Sequence, residues 1–354
     1  MIILCKTLLK GGAEKQALIL ARLLTEQNYH IHLINWCGNK MDPDNMAIIK
    51  NSSIKYYGLN GNPLRKFIFL NRIVQQEKDF IIISYLTLAN FIAGITGLMN
   101  RRVKVIGGIR TEKFPLCKYF VEKLVHNYLS TATVFNNFTA KEKFVRKGFK
   151  PEKIVVIHNA ININTLELKE QTGERITIIS VSRFVKSKDY ETALASFSKL
   201  AEQNPGREMR YLIVGYGKQE AAIRNLIKQF NLGNIVDVLI NPIGIRELLT
   251  RADIFLSTSL FEGLSNSIME AMVAGLPVIA TDVGDNRYLV QNSFNGFLVP
   301  CKNVDAIVEK MQYLIIYENA RKKFGKNGYL KISSEFSEDK LLDSYHKLLS
   351  ELTF

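Results

Sequence analysis

Apolar and polar positions along this chain alternate between two rhythms. Short runs rich in Ile, Val and Leu (MIILCK, HIHLINWC, FIIISYL, RRVKVIGGIR, TATVFNN, KIVVIHN) read as strands buried on both faces. Between them lie segments whose apolar residues return at helical spacing: AEKQALILARLLTEQ, PLRKFIFLNRIVQQEKD opening at Pro63, ANFIAGITGLM, PLCKYFVEKLVHNYLS, and TAKEKFVRKG closed by Gly148. Asp42 to Asn62 breaks the succession and reads as a loop with one weak strand, IKYYGL. Strand and helix in regular turn predict a parallel sheet covered on both faces.

The pattern lapses from Ala160 to Glu174, a polar stretch without periodicity, and this is the expected linker. It restarts with ITIISVSRF, DYETALASFSKLAEQ, MRYLIVGYG, KQEAAIRNLIKQFNL, IVDVLIN, IRELLTRA and IFLSTS. A short helix then opens at Ser265 or Asn266 and stops at Gly275, PVIATDV follows as a strand, and three helices finish the chain. At 354 residues the chain is too long for one comfortable core, so two α/β domains are expected, 1–160 and 161–336, with a terminal amphipathic helix in 337–354. The uncharged run Phe80 to Asn100 is long enough to span a bilayer. Its Ser84, Thr87, Asn90 and Thr96, and its β-branched first third, fit a buried strand followed by a buried helix better.

Composition adds one asymmetry. A hydrophobic fraction of 47% and a charged fraction of 23% are those of a globular protein. The net charge of +14 comes entirely from residues 1–160, which carry 24 Lys and Arg against 10 Asp and Glu. Such an excess implies an anionic partner: a membrane surface, a diphosphate or nucleic acid. The cations are spread over many elements without a nucleic-acid module, so nucleic acid is not expected. The helix holding Arg65, Lys66 and Arg72 beside Phe67, Ile68, Phe69 and Leu70, with Arg101, Arg102 and Lys104 elsewhere, suits an anionic lipid surface. The four cysteines are scattered, which implies reduced thiols and no zinc site. None of the five histidines has a partner at triad or metal spacing, no D-x-D stands at a strand end, and a metal ion is not expected. Met1 leads directly into a stretch that reads as the first strand, so a signal peptide is not expected.

Open parallel sheets bind ligands at the carboxyl ends of their strands. Arg183 ends ITIISVSR and Lys188 follows five residues later, two cations able to hold a diphosphate. Asp189 is the expected cap of the next helix. Glu262 precedes the short helix and Glu270 lies inside it among Ile268, Met269, Ala271 and Met272; a carboxylate in so apolar a helix calls for hydrogen-bond donors such as sugar hydroxyls. The amides of Gly263, Leu264, Ser265, Asn266 and Ser267 stand at a helix N-terminus, where an anion is favoured. Gly11 and Gly12 form a turn before the first long helix; Gly215 and Gly217 form another. Arg110 and Glu112 follow a further strand.

The stretch FEGLSNSIMEAMVAGLPVIAT resembles the E-x7-E signature of the retaining glycosyltransferases of family four. The resemblance implies the GT-B fold: two Rossmann-like parallel-sheet domains facing across a cleft, with the last helix packing back on the N-terminal domain. It implies that Arg183 and Lys188 bind the donor diphosphate, Glu262 the transferred sugar's hydroxyls and Glu270 the ribose. It also implies that Gly215 lies near the nucleotide, Asn241 to Ile243 near the base, and Gly12 near a phosphate. Lys15 stands where the family's G-G-x-E-R loop has arginine, and Arg110 stands where many members have histidine. The expected function is therefore transfer of a sugar, without metal or other cofactor, from a nucleoside diphosphate sugar, UDP-linked by the resemblance. The expected acceptor is a lipid-linked (polyprenyl diphosphate) saccharide at the cytoplasmic face of the membrane, in bacterial surface-polysaccharide assembly. A sugar phosphorylase or nucleotide-sugar epimerase of the same fold is the alternative, and a basic nucleic-acid-binding protein stands behind both.

Overall fold

Among the described residues, thirteen strands, all paired in parallel, divide into two sheets. The computed structural model describes residues 1–9, 11–76, 80–111, 114–163 and 175–352. The chain splits into two compact units, Met1–Ala160 with Glu338–Phe354, and Ile161–Ser337. Of the expected linker, 164–174 lie outside the described residues, as does Glu112.

In the first unit the strands are β1 (Ile2–Cys5), β2 (His32–Asn35), β3 (Lys55–Gly58), β4 (Phe80–Tyr85), β5 (Val103–Ile109), β6 (Ala132–Phe135) and β7 (Ile154–Val156), ordered β3-β2-β1-β4-β5-β6-β7. The uncharged run from Phe80 resolves into β4 and the helix Thr87–Met99. The closing helix Glu338–Leu352 belongs to this unit: Leu341, Tyr345, Leu348 and Leu349 join the core under β1 and β2, and Arg22 pairs with Glu338 at its first turn. Gln16, buried in the helix Gly12–Glu26, bonds both backbone groups of Ala160. Ile161 donates to the carbonyl of Phe336 at 3.0 Å, joining the two points where the chain changes unit.

The second unit holds β8 (Ile176–Arg183), β9 (Met209–Tyr216), β10 (Val236–Ile240), β11 (Ile254–Ser257), β12 (Val278–Thr281) and β13 (Gly296–Val299) in the order β10-β9-β8-β11-β12-β13. This is the Rossmann order, and its direction reverses between β8 and β11. At that reversal the connections leave on opposite faces, so a crevice opens beyond the carboxyl ends of those two strands. One core lies on each face of the sheet, one containing Phe197, Tyr211 and Met311, the other Phe255, Met269 and Ile332.

Two expectations fail here. The segment read as a loop contains a helix, Pro43–Lys50, in which Ile49 is buried; one anchor per two turns leaves too little periodicity to detect. Asp189 does not cap the following helix through its side chain. Its backbone is left-handed (φ 50°), and its carboxylate accepts instead from the Thr192 hydroxyl at 2.7 Å.

Candidate functional site

The residues after β8 and β11 are tied together by their backbones before any side-chain charge is counted. A single 3-10 turn, Lys186–Lys188, follows β8. The Thr258 hydroxyl donates to the carbonyls of Lys188 and Asp189 at 3.0 and 2.9 Å, and the Leu260 amide donates to Ser187 at 2.7 Å. Pinned in this way, Lys188 Nζ forms an ion pair with the Glu262 carboxylate, and the Ser259 hydroxyl donates to the same oxygen at 2.7 Å. The side chains of Lys188 and Glu262 are 17% and 12% exposed, so solvent screens the pair little.

The loop carrying Glu262 is braced from below. Thr281, at the end of β12, donates its hydroxyl to Ser259, Asn286 donates to the carbonyl of Thr281 at 3.0 Å, and the Asp285 amide donates to Gly263 at 3.2 Å. These positioning residues were missed in the sequence; a run of Ser and Thr at the end of an apolar strand is the signal that could have found them.

The helix Asn266–Val273 begins at this loop. Ser265 takes the N-cap position, but its hydroxyl lies 3.2 Å from that of Ser267 and makes no capping bond. The side chain thus leaves the first-turn amides to other acceptors, while Leu264 and Ser265 are themselves buried, which strengthens the field an anion would meet. Ile268, Met269, Ala271 and Met272 turn into the core, leaving Glu270 half-buried on the helix's polar stripe with Asn266. The helix ends in a Schellman motif: Gly275 (φ 71°) donates to Met272 and Leu276 to Ala271, both at 3.0 Å. From behind, helix Glu318–Glu335 approaches so closely that a Cβ on Gly325 would overlap the Gly275 carbonyl.

Arg183 is exposed at the end of β8 and, among the described residues, makes no ion pair or side-chain hydrogen bond. Gly215 (φ 155°), one residue before the end of β9, pairs with Ser182, and a Cβ there would overlap the carbonyl oxygen of Ser182. That glycine is demanded by the approach of two strand ends, whatever binds above them. Asn241 (φ 43°) donates its amide to Gly215 at 3.1 Å, and Ile243 is fully exposed. Two buried phenols hold the strand ends from within: Tyr211 sits 2.8 Å from the Ser180 hydroxyl and Tyr190 2.8 Å from that of Ser182, and burial pushes both far above the ordinary phenol range. A groove of about 810 Å³ beside the 3-10 turn, lined by Lys186, Asp189, Gln219, Asn225 and Lys302, takes in none of the residues expected to bind the donor.

The remaining predicted residues lie in the first unit. Gly12 is the first residue of the helix Gly12–Glu26, with Gly11 at its N-cap and Thr7 donating to Glu14 at 3.4 Å. Arg110 lies 5.1 Å from the centre of the Tyr85 ring and donates to Asn159 at 2.9 Å. In the basic helix Pro63–Val74, Leu70 is buried, Phe67 and Phe69 pack on the core, and Lys66 donates to the carbonyl of Trp36. Among the described residues, no helix is long and apolar enough to cross a membrane.

Residues 165–331 match the family described as glycosyl transferases group 1, and residues 10–165 match glycosyltransferase family 4. An uncharacterized glycosyltransferase of Haemophilus influenzae is 25% identical over 353 residues, 96% of each chain. A capsular polysaccharide biosynthesis glycosyltransferase of Staphylococcus aureus is 24% identical, over 93% of this chain and 92% of the relative. Among solved structures, Anabaena HepE in complex with UDP superposes over 99% of both chains with a TM-score of 0.86 at 19% identity. The lipopolysaccharide outer core galactosyltransferase WaaB, in its apo form, does so over the same share with a TM-score of 0.78 at 16% identity. Two Rossmann-like units, the strand order of the second and these matches make one statement: the chain is a glycosyltransferase of family four, with the GT-B fold.

Proposed function

We propose that this protein transfers a sugar from a UDP-linked donor, with retention and without a metal ion, to a lipid-linked saccharide at the inner face of the bacterial cell membrane. The step belongs to surface-polysaccharide assembly, as the capsular relative's name suggests. The observation that carries the donor half is the Lys188–Glu262 pair beside an uncapped helix N-terminus, at the strand reversal between β8 and β11.

Departure of a nucleoside diphosphate builds negative charge on its oxygens and positive charge on the sugar ring. Arg183, Lys188 and the amides from Gly263 to Asn266 would stabilise the first, and no proton need move to do it. Glu262 holds Lys188 in place before the donor arrives, and its free lone pairs accept from hydroxyls of the transferred sugar. Glu270 accepts from the ribose, and Gly215, Asn241 and Ile243 border the base. Gly12, in the first turn of the helix Gly12–Glu26, would offer its amide to a phosphate. The basic first unit supports an acceptor carried on an anionic membrane.

Titration calorimetry with UDP, GDP and ADP tests the donor half. UDP is expected to bind best, and Arg183→Ala to weaken it at least ~10-fold, the loss of one charge-assisted contact. If none of the three nucleotides binds, the donor assignment is wrong.

A further inference from the structure

Helix Leu116–Leu124 is built inside out. Its one carboxylate, Glu122, is 2% exposed and accepts from Asn90 Nδ2 at 3.1 and 3.2 Å, while Leu116, Phe120 and Leu124 are 79%, 67% and 51% exposed. Those three residues lie four apart on one stripe, which Tyr128 (74% exposed) continues into the π turn Val125–Leu129. The neighbouring helix Thr87–Met99 has no charged residue, and it too turns Phe91, Leu98 and Met99 outward. The two are packed together: a Cβ on Gly94 would lie 3.0 Å from Leu129 Cβ, and the Asn90–Glu122 bonds cross between them.

The rim of this apolar face is cationic. Lys118 is exposed on the helix, Lys150 Nζ lies 5.4 Å from the Tyr128 ring centre, Lys147 Nζ lies 5.2 Å from that of Tyr119, and Arg101 and Arg102 follow the Thr87–Met99 helix. No carboxylate of either helix reaches the surface to oppose them. A second copy of the chain would bring like charge against like. A bilayer with anionic headgroups answers both the apolar centre and the basic rim, since amphipathic helices lie in the interface with their apolar side in the acyl boundary.

We infer that the helices Thr87–Met99 and Leu116–Leu124, with the turn Val125–Leu129, are the surface by which this protein lies on an anionic bilayer, and that the basic helix Pro63–Val74 is not. The inference rests on the proposed membrane-borne acceptor and locates its docking. Leu116, Phe120, Leu124 and Tyr128 enter the acyl boundary, and Lys118, Lys147 and Lys150 meet lipid phosphates.

The test is co-sedimentation of the full chain with phosphatidylglycerol–phosphatidylcholine vesicles at low salt, with thermal melts to show that each variant is folded. Phe120→Ser with Leu124→Ser should lower partitioning at least ~10-fold, the scale for removing two large apolar groups from the interface. Each of Lys118→Gln and Lys150→Gln should lower it about fivefold. Leu64→Ser with Ile68→Ser, on the basic helix, should change nothing. Phe120→Trp gives a second readout, because the chain's single tryptophan, Trp36, is buried; its emission should shift to the blue on vesicles and be quenched by brominated acyl chains. Full binding by the Phe120/Leu124 variant, or an unshifted Phe120→Trp spectrum on bound protein, would reject this surface while leaving membrane binding intact. No binding by the natural chain would remove the membrane reading itself, and leave the nucleotide test untouched. A lipid-independent dimer abolished by Phe120→Ser would reassign the face to a protein interface.

Discussion

Lys188 and Glu262 are 74 residues apart in the chain and share one ion pair, so neither charge can be altered alone. Removing Lys188 leaves a carboxylate with little solvent and no counter-charge close to where the donor's diphosphate is proposed to sit. Lys188→Ala should therefore cut turnover by at least ~100-fold, the scale for losing one preorganised charge. Glu262→Ala frees the ammonium but loses the hydroxyl contacts, and it should slow turnover too. Because the two share one contact, their combined effect on kcat/KM should fall short of the sum by about 1 kcal/mol or more. Additive losses in that double-mutant cycle would mean that the pair does not act as a unit. The individual residues were legible in the sequence from strand ends and from the two glutamates separated by seven residues. The pairing was not, because nothing local in Lys186–Lys188 or in FEGLS fixes how one loop lies on the other. That is decided by Thr258 and Leu260 bonding the turn's backbone.

Elements show a sharper limit. Buried strands declare themselves, since a run such as FIIISY has nowhere else to go; β13 (Gly296–Val299), with three apolar residues between Gly296 and Pro300 and polar QNS and Asn295 before them, was not read. Helix Leu116–Leu124 was legible as amphipathic, but periodicity does not say which face turns inward, and here it is the face with Glu122. Burial raises that carboxyl above its ordinary value of 4.5, against hydrogen bonds from Asn90 and Thr87 that lower it. Below that value the folded and unfolded chains are both protonated. As pH rises past it the unfolded chain gives up the proton first, so stability is lost between the ordinary value and the raised one. Glu122→Gln keeps an oxygen for Asn90 and carries no charge. Its melting temperature should match that of the natural chain near pH 4.5 and exceed it increasingly toward neutrality. A constant difference across that range would show that Glu122 titrates normally.

At the scale of the molecule the two units differ in charge and have cores of their own. The first, with the closing helix, carries a net charge of +12, and the second only +2. The donor reading places nearly all the nucleotide contacts on the second unit, and linkage can test that without catalysis. A ligand at a hundred times its Kd adds about 2.7 kcal/mol to whatever unit holds it, worth roughly 5–10 °C for a unit of this size. Leu348→Ala marks the other unit: it empties a buried position in the core under β1 and β2 and should cost about 2–5 kcal/mol there. Differential scanning calorimetry should then show two movements in opposite directions on different transitions, Leu348→Ala lowering one and UDP raising the other. If UDP raises the transition that Leu348→Ala lowers, the nucleotide is held by the basic first unit, and the charges at Arg183 and Lys188 must be explained by something other than a donor.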